Sequence, residues 1–272
     1  MKDFADKVCM ITGAGSGIGR ALARELARRG ARVISADVNG EAAEETAALV
    51  AKDRGQTAVV KLDVTDREAV AAAVNEAVSR HGRLDYLFNN AGIGVGGEAR
   101  DYSYEDWKKV IDVNLYGVVN GVAAAYPIMV KQGSGHIVNT SSMAGLVPFP
   151  GEISYTTSKY AVVGLSHALR IEGADLGVKV SVVCPGKIET PIYQTSRIIG
   201  FDKDKVLAMW PKGITAEECA QVILKGVMKN QATIPVTKMT WAAWALARIS
   251  PDLVIGLGKI YFKKMRTARI EN

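Results

Sequence analysis

Tyr155-Thr156-Thr157-Ser158-Lys159 sets a phenol and an ammonium four residues apart, a spacing that brings both to one face of a helix. A free phenol has a pKa of about 10, so accepting a proton near neutrality requires a fall of about three pH units, worth about 4 kcal/mol. A neighbouring cation supplies much of that, because two unit charges about 4 Å apart interact by about 4 kcal/mol at an effective dielectric of about 20. The pair therefore points to acid/base chemistry at the phenolic oxygen. Tyr and Lys at this spacing also make plain amphipathic contacts, so the surroundings must decide.

Near the amino end, Thr12-Gly13-Ala14-Gly15-Ser16-Gly17-Ile18-Gly19-Arg20 joins a strand-like run to a helical pattern. Glycines let the backbone turn sharply and let a pyrophosphate reach the amide N–H groups, and the helix N-terminus favours the anion. The turn reads as a dinucleotide phosphate cradle. It does not fit GxGxxG from any starting glycine, it lacks the Lys-Ser/Thr pair of a P-loop, and a glycine-rich loop without a ligand fits it as well. Asp37 lies eighteen residues after Gly19 at the end of the next strand-like run. A carboxylate there accepts hydrogen bonds from an adenosine ribose and repels a 2′-phosphate. Val38, Asn39 and Gly40 follow it rather than an arginine, and Ser16 stands where a basic residue would have served NADP. NAD is the expected cofactor, although a carboxylate that merely ends a strand accounts for Asp37 too.

The elements that must position these residues are legible as alternating patterns. Apolar runs at 7–12, 32–36, 58–62, 84–88, 136–140, 179–184 and 233–236 alternate with helical stretches at 18–29, 41–54, 67–80, 104–131, 155–176 and 216–229. Such alternation predicts βαβ units and a parallel sheet. Gly30, Gly55, Gly82 and Gly177 stand where helices should end, as residues free to take positive φ do. With no linker between 7 and 236, one α/β domain over residues 1–236 is the economical reading. Hydrophobic residues at 48% and charged residues at 23% are those of an ordinary globular protein, which excludes disordered and fibrous classes.

Taken together these motifs closely resemble the short-chain dehydrogenase/reductase family, in its members of ordinary length. The family's TGxxxGxG stands here as Thr12 to Gly19, its acidic residue after the second strand as Asp37, and its NNAG as Asn89-Asn90-Ala91-Gly92. Its adenine-contacting Asp is Asp63, followed by Val64; its helix asparagine is Asn114, its serine Ser142 and its YxxxK Tyr155 to Lys159. Its later PG motif is Pro185-Gly186-Lys187-Ile188-Glu189-Thr190. Joint chance agreement of so many motifs is negligible.

The resemblance implies a Rossmann-like doubly wound fold with a seven-stranded parallel sheet and helices on both faces. It also implies hydride transfer between nicotinamide C4 and an alcohol or carbonyl carbon. The implied cofactor contacts are Gly13, Gly15, Ser16, Gly17, Ile18, Gly19, Asp37, Asp63, Val64, Asn90, Ala91, Gly92, Tyr155, Lys159, Pro185, Gly186, Ile188 and Thr190, the last four at the nicotinamide end. Tyr155 acts as acid/base, and Lys159 lowers its pKa, aided by the oxidised ring, and holds the ribose. Ser142 binds the substrate oxygen, and Asn114 holds a water that links Lys159 to solvent. A homodimer or homotetramer is implied as well. No metal is expected, since His81, His136 and His167 show no ligand spacing.

Ligands bind beyond the carboxyl ends of strands in such sheets. Val147, Phe149, Ile192, Tyr193, Ile198, Ile199, Phe201, Met209 and Trp210 then favour an apolar alcohol or ketone of steroid, retinoid or acyl-chain type. The same side chains suit domain packing equally. Two rivals share the motifs: an NADP-dependent acyl ketoreductase, opposed by Asp37, and a non-catalytic NAD sensor, opposed by the intact Asn114, Ser142, Tyr155 and Lys159 set. An extended-family epimerase needs a larger substrate domain than 272 residues provide.

Residues 237–272 form a C-terminal extension, expected to be helical, with seven basic residues against two acidic ones, which is most of the net charge of +6. Trp241, Trp244, Leu246, Ile249, Leu253, Ile260, Tyr261 and Phe262 are interleaved with the lysines and arginines. This composition suits peripheral contact with an anionic membrane, and cover for the pocket or a neighbouring subunit is the alternative. No nucleic acid is expected, for want of a binding module. Three cysteines, none paired as CxxC, and a charged Met1 to Lys7 stretch without the form of a signal peptide give a cytoplasmic expectation.

Overall fold

The computed structural model describes residues 3–270; the outer residues of the N-terminal stretch and of the extension, at 1–2 and 271–272, lie outside them. Seven strands, β1 (Val8–Thr12), β2 (Arg32–Asp37), β3 (Gln56–Lys61), β4 (Tyr86–Asn89), β5 (Gly135–Thr140), β6 (Val178–Cys184) and β7 (Thr233–Pro235), form one parallel sheet. Its order is β3-β2-β1-β4-β5-β6-β7. Each expected run is one of these strands, with ends moved by a few residues.

The continuous apolar runs follow from burial on both faces. Along β1, Cys9 and Ile11 join Leu22, Leu26, Val50, Ile223 and Leu224 on one side. That side is covered by α1 (Gly17–Arg28), α2 (Gly40–Lys52) and α6 (Ala216–Met228). Val8 and Met10 join Val70, Val74, Leu87, Met129 and Ile137 on the other, under α3 (Arg67–His81) and α4 (Tyr104–Gln132). Period-two alternation thus splits one strand between two cores, and each fully buried Leu or Ile stabilises the fold by about 1.5–3 kcal/mol. The next helix, α5 (Ile153–Gly173), packs on β6.

The chain leaves β1 toward β2 on one side and returns to β4 on the other, so a crevice opens at the carboxyl ends of β1 and β4. Thr12 closes its floor, its hydroxyl accepting from the Asn90 and Ala91 amides at 3.0 and 3.1 Å. Two short parallel pairs were not foreseen: Val95–Gly96 with Arg197–Ile198, and Ile188–Glu189 with Ile214–Thr215. Two-residue strands are too short to show a period.

The extension is helical, as α7 (Lys238–Ile249) and α8 (Pro251–Met265). Ser250 caps α8 and Pro251 opens it, a position where the missing N–H of proline costs nothing. Trp244 packs against the Val118, Val162 and Val182 cluster, while Tyr261, Phe262 and Met265 pack against Phe201 and Val206. Cys9, Cys184 and Cys219 are buried free thiols.

Candidate active site

The turn after β1 is shaped by what lies against it. Gly13 has φ +65°, and a Cβ there would meet the Ala91 Cα at 2.8 Å, so only glycine lets the turn sit on the β4 end. Asp37, at the end of β2, accepts from the Gly15 amide at 2.8 Å with one oxygen and from the Asn39 amide at 2.9 Å with the other. Gly13, Ser16, Gly17, Ile18 and Asp37 line a cavity of about 880 Å³. Gly15 and Gly19 do not line it: side chains there would strike Asp37 and the Gly13 carbonyl, so both serve close packing beneath the turn. Arg20, the nearest guanidinium in the turn, is spent on Thr46 and Glu45 at 3.0 and 2.9 Å and on the Gly15 carbonyl.

Asp63, Val64, Asn90, Ala91, Gly92, Ser142, Tyr155, Lys159, Pro185, Gly186, Ile188 and Thr190 line the same cavity. Ser142 follows β5 and its hydroxyl accepts from the Ala144 amide at 3.2 Å. Tyr155 and Lys159 lie in the first turns of α5, with the Lys159 Nζ donating to the Thr140 carbonyl at 3.0 Å. Asn114 lies beneath, fully buried in a π-helical turn, Asp112–Tyr116, inside α4. Such turns widen a helix locally and recur at functional sites. Its side chain is consumed by protein: it accepts from the Ile93 amide at 2.8 Å and donates to the Ile93 carbonyl at 2.9 Å and to the Ser158 hydroxyl at 3.3 Å. It therefore holds the Gly92-Ile93 loop beside Lys159, with both amide N–H groups engaged and one Oδ1 lone pair still open.

Burial dominates the electrostatics. It pushes the Tyr155 phenol well above its ordinary value, with the charge of Glu152 adding to the rise and the Ser142 hydroxyl opposing it. Burial lowers Lys159 to about 8. The lowering expected of the Tyr155 phenol from the Lys159 ammonium and the oxidised ring thus has enclosure working against it.

Beyond Tyr155 the cavity turns apolar. Phe149, Ile192, Tyr193, Ile198 and Trp210 line it as expected from sequence, whereas Val147, Ile199, Phe201 and Met209 do not. Phe201 and Met209 belong instead to the packing under α8, and Val147 is buried. Tyr261 and Met265 of the extension also line the cavity, with Tyr261 edge-on to Trp210 at 6.3 Å. The extension is thereby a wall of the site. Glu152 was missed as well, although its place three residues before Tyr155 put it one helical turn away. Burial pushes its carboxyl up to about 7. The histidines lie outside the cavity: His136 pairs with Ser181 at 2.9 Å and His167 with Thr233 at 2.8 Å.

The amino-acid sequence matches the short chain dehydrogenase family over residues 7–198. A Mycobacterium tuberculosis protein named as an oxidoreductase, SadH, is 38% identical over 255 residues, 92% of each chain. The cyclohexanol dehydrogenase of an Acinetobacter species is 39% identical over 223 residues, 81% of this chain and 87% of that one. Among solved structures, a short chain dehydrogenase/reductase from Burkholderia phymatum in complex with NAD is similar with a TM-score of 0.81 and 30% identity, covering 93% of this chain and 96% of that chain.

Proposed function

The chain belongs to the short-chain dehydrogenase/reductase family, and from that membership we propose that it is an NAD-dependent oxidoreductase interconverting an apolar secondary alcohol and its ketone. One observation carries the reading: a single cavity runs from the Asp37 carboxylate, past Ser142, Tyr155 and Lys159, to the aromatic wall of Phe149, Trp210 and Tyr261. Its volume of about 880 Å³ gives a dinucleotide and a substrate one shared space.

The residues fit NAD. Glycine at 13 and 17 lets the turn lie close against Ala91 and Thr190, and the turn amides with the N-terminus of α1 suit a pyrophosphate. Asp37 keeps lone pairs for ribose hydroxyls and repels a 2′-phosphate, and Arg20 is already paired. Asp63 and Val64 would hold the adenine, and Pro185, Gly186, Ile188 and Thr190 the nicotinamide, which when bound supplies the hydride acceptor or donor. Ser142 donates to the substrate oxygen. Tyr155 takes the alcohol proton in oxidation and returns it in reduction. Lys159 holds the ribose and stabilises the phenolate by its charge.

The apolar end of the cavity supports substrates of cyclic or acyl-chain type over sugars. The test follows the near-ultraviolet absorbance of reduced nicotinamide with NAD or NADP across cyclic, steroid, retinoid and acyl-chain alcohols. NAD-linked turnover that Tyr155→Phe reduces by 10²-fold or more supports the reading. Turnover equal in that variant, or dependent on NADP alone, refutes it.

A further inference from the structure

One ionisable side chain of the cavity has no part in that chemistry. Glu152 is the last residue before α5, yet its carboxyl makes no capping hydrogen bond to the helix. Its residue is half-buried in the cavity wall, burial pushes the carboxyl up, and among the described residues no side chain forms an ion pair or hydrogen bond with it. It lines the cavity, as do Phe149, Trp210 and Tyr261. Those rings form one cluster, with Phe149 stacked on Trp210 at 4.8 Å and tilted to Tyr261 at 5.9 Å.

The titratable groups that sense Glu152 are phenols. Burial raises Tyr155 on its own helix, Tyr193 of the short helix Ile192–Thr195, Tyr261 of α8 and Tyr102 ahead of α4, and the Glu152 charge adds to each rise. The nearest cation on α5, Lys159, donates to the Thr140 carbonyl. A carboxylate held half-buried against aromatic and apolar side chains is costly unless paired, and this one faces the cavity. A partner arriving with the ligand removes that cost.

We propose that Glu152 is a second recognition point for the substrate, and that the otherwise apolar alcohol or ketone carries one amino group whose ammonium pairs with this carboxylate against the Phe149, Trp210 and Tyr261 rings. The proposal rests on reading the cavity as an alcohol and ketone site. An ammonium fits better than a hydroxyl for two physical reasons. It neutralises the enclosed charge, which a hydroxyl leaves in place, and aromatic faces attract cations.

Binding to the full-length protein saturated with NAD, measured by calorimetry with cyclohexylamine and cyclohexanol as probes, tests this without reading turnover. The amine requires ionised Glu152 and remains protonated throughout, so its affinity rises about tenfold between pH 6 and pH 8, while that of cyclohexanol stays flat. In E152Q the amine loses its pH dependence and the ratio of amine to alcohol affinity falls to near one. Amine binding in wild type that is flat with pH, or no tighter than that of cyclohexanol, overturns the proposal without recourse to any variant; an amine preference that survives E152Q does so too. NAD-linked oxidation of cyclohexanol without amine preference would sink this inference alone. An absence of NAD-linked turnover refutes the oxidoreductase reading and leaves the binding result to stand or fall by itself.

Discussion

Lys159 holds its ammonium 5.4 Å from the centre of the Tyr155 ring. Both groups are enclosed, and burial moves them in opposite directions, the phenol upward and the ammonium down to about 8. Each neutral form is favoured when the partner is neutral, so the pair ionises cooperatively, with phenolate and ammonium stabilising each other.

A pH dependence of definite sign follows. Oxidation needs the phenolate, so its rate climbs as pH rises; reduction needs the phenol and falls over the same range. Lys159→Met removes the stabilising charge, which should displace the oxidation limb by about one pH unit or more to the alkaline side and lower kcat by about 10²-fold or more. Profiles of kcat from pH 6 to 10 measure this. A lowered kcat with an unmoved limb would mean that Lys159 only positions ligand.

Asp37 should set the cofactor preference. Hydrogen bonds to a charged group are worth about 1.5–3 kcal/mol, so Asp37→Ser should lower kcat/KM for NAD by about 10- to 100-fold. Removing the negative charge should raise kcat/KM for NADP. The ratio of the two is decisive, because Asp37 also holds the Gly15 and Asn39 amides, and a damaged turn would penalise both cofactors alike.

The sheet, the cradle, Asp37 and the Tyr155–Lys159 pair were legible because each depends on local spacing: period-two burial, glycines at a turn, a four-residue helical step. What was not legible depends on distant contacts. Tyr261 joins Trp210 across about fifty residues, and nothing in either local pattern distinguishes a cavity wall from core. Phe201 and Met209 were misplaced for that reason. The π turn at Asn114 also escaped, since its sequence continues the helical pattern on both sides. Glu152 was within reach of helical spacing, but its burial beside the cavity is a property only of the folded chain.

The end of the extension is fastened by charge. Glu98, only 6% exposed, takes Arg266 and Arg100 at 3.0 Å, and Asp101 takes Arg269 through both oxygens at 2.7 and 3.0 Å. These pairs hold α8, and with it Tyr261 and Met265, over the cavity. Glu98→Ala leaves Arg100 and Arg266 exposed to water rather than buried, so the protein should fold while the extension loosens. Trypsin should cleave around Lys259, Lys263 and Lys264 several-fold faster than in wild type, and KM for bulky alcohols should rise by a similar factor. Unchanged cleavage would show that apolar packing alone holds the helix.

The outer face of the same extension bears on where the protein works, and we propose that it meets an anionic membrane. Ile249, Leu253, Leu257 and Ile260 are 83%, 50%, 51% and 70% exposed. The last three fall on one stripe of α8, while Tyr261 and Met265 turn inward to the cavity. Lys259, Lys263 and Lys264 are exposed beside the stripe, which gives apolar insertion and attraction to anionic headgroups in one surface. The full-length protein should therefore float with vesicles containing anionic lipid, less so as salt screens the lysines, and hardly at all with neutral vesicles. Leu253→Glu, Leu257→Glu and Ile260→Glu together should abolish flotation, and because the stripe points away from the cavity, the fold should survive the change. Recovery in the floating fraction that is equal without lipid defeats the membrane reading. Dimers of wild type that dissociate in the triple variant, seen by sedimentation, would instead assign the stripe to a second copy of the chain.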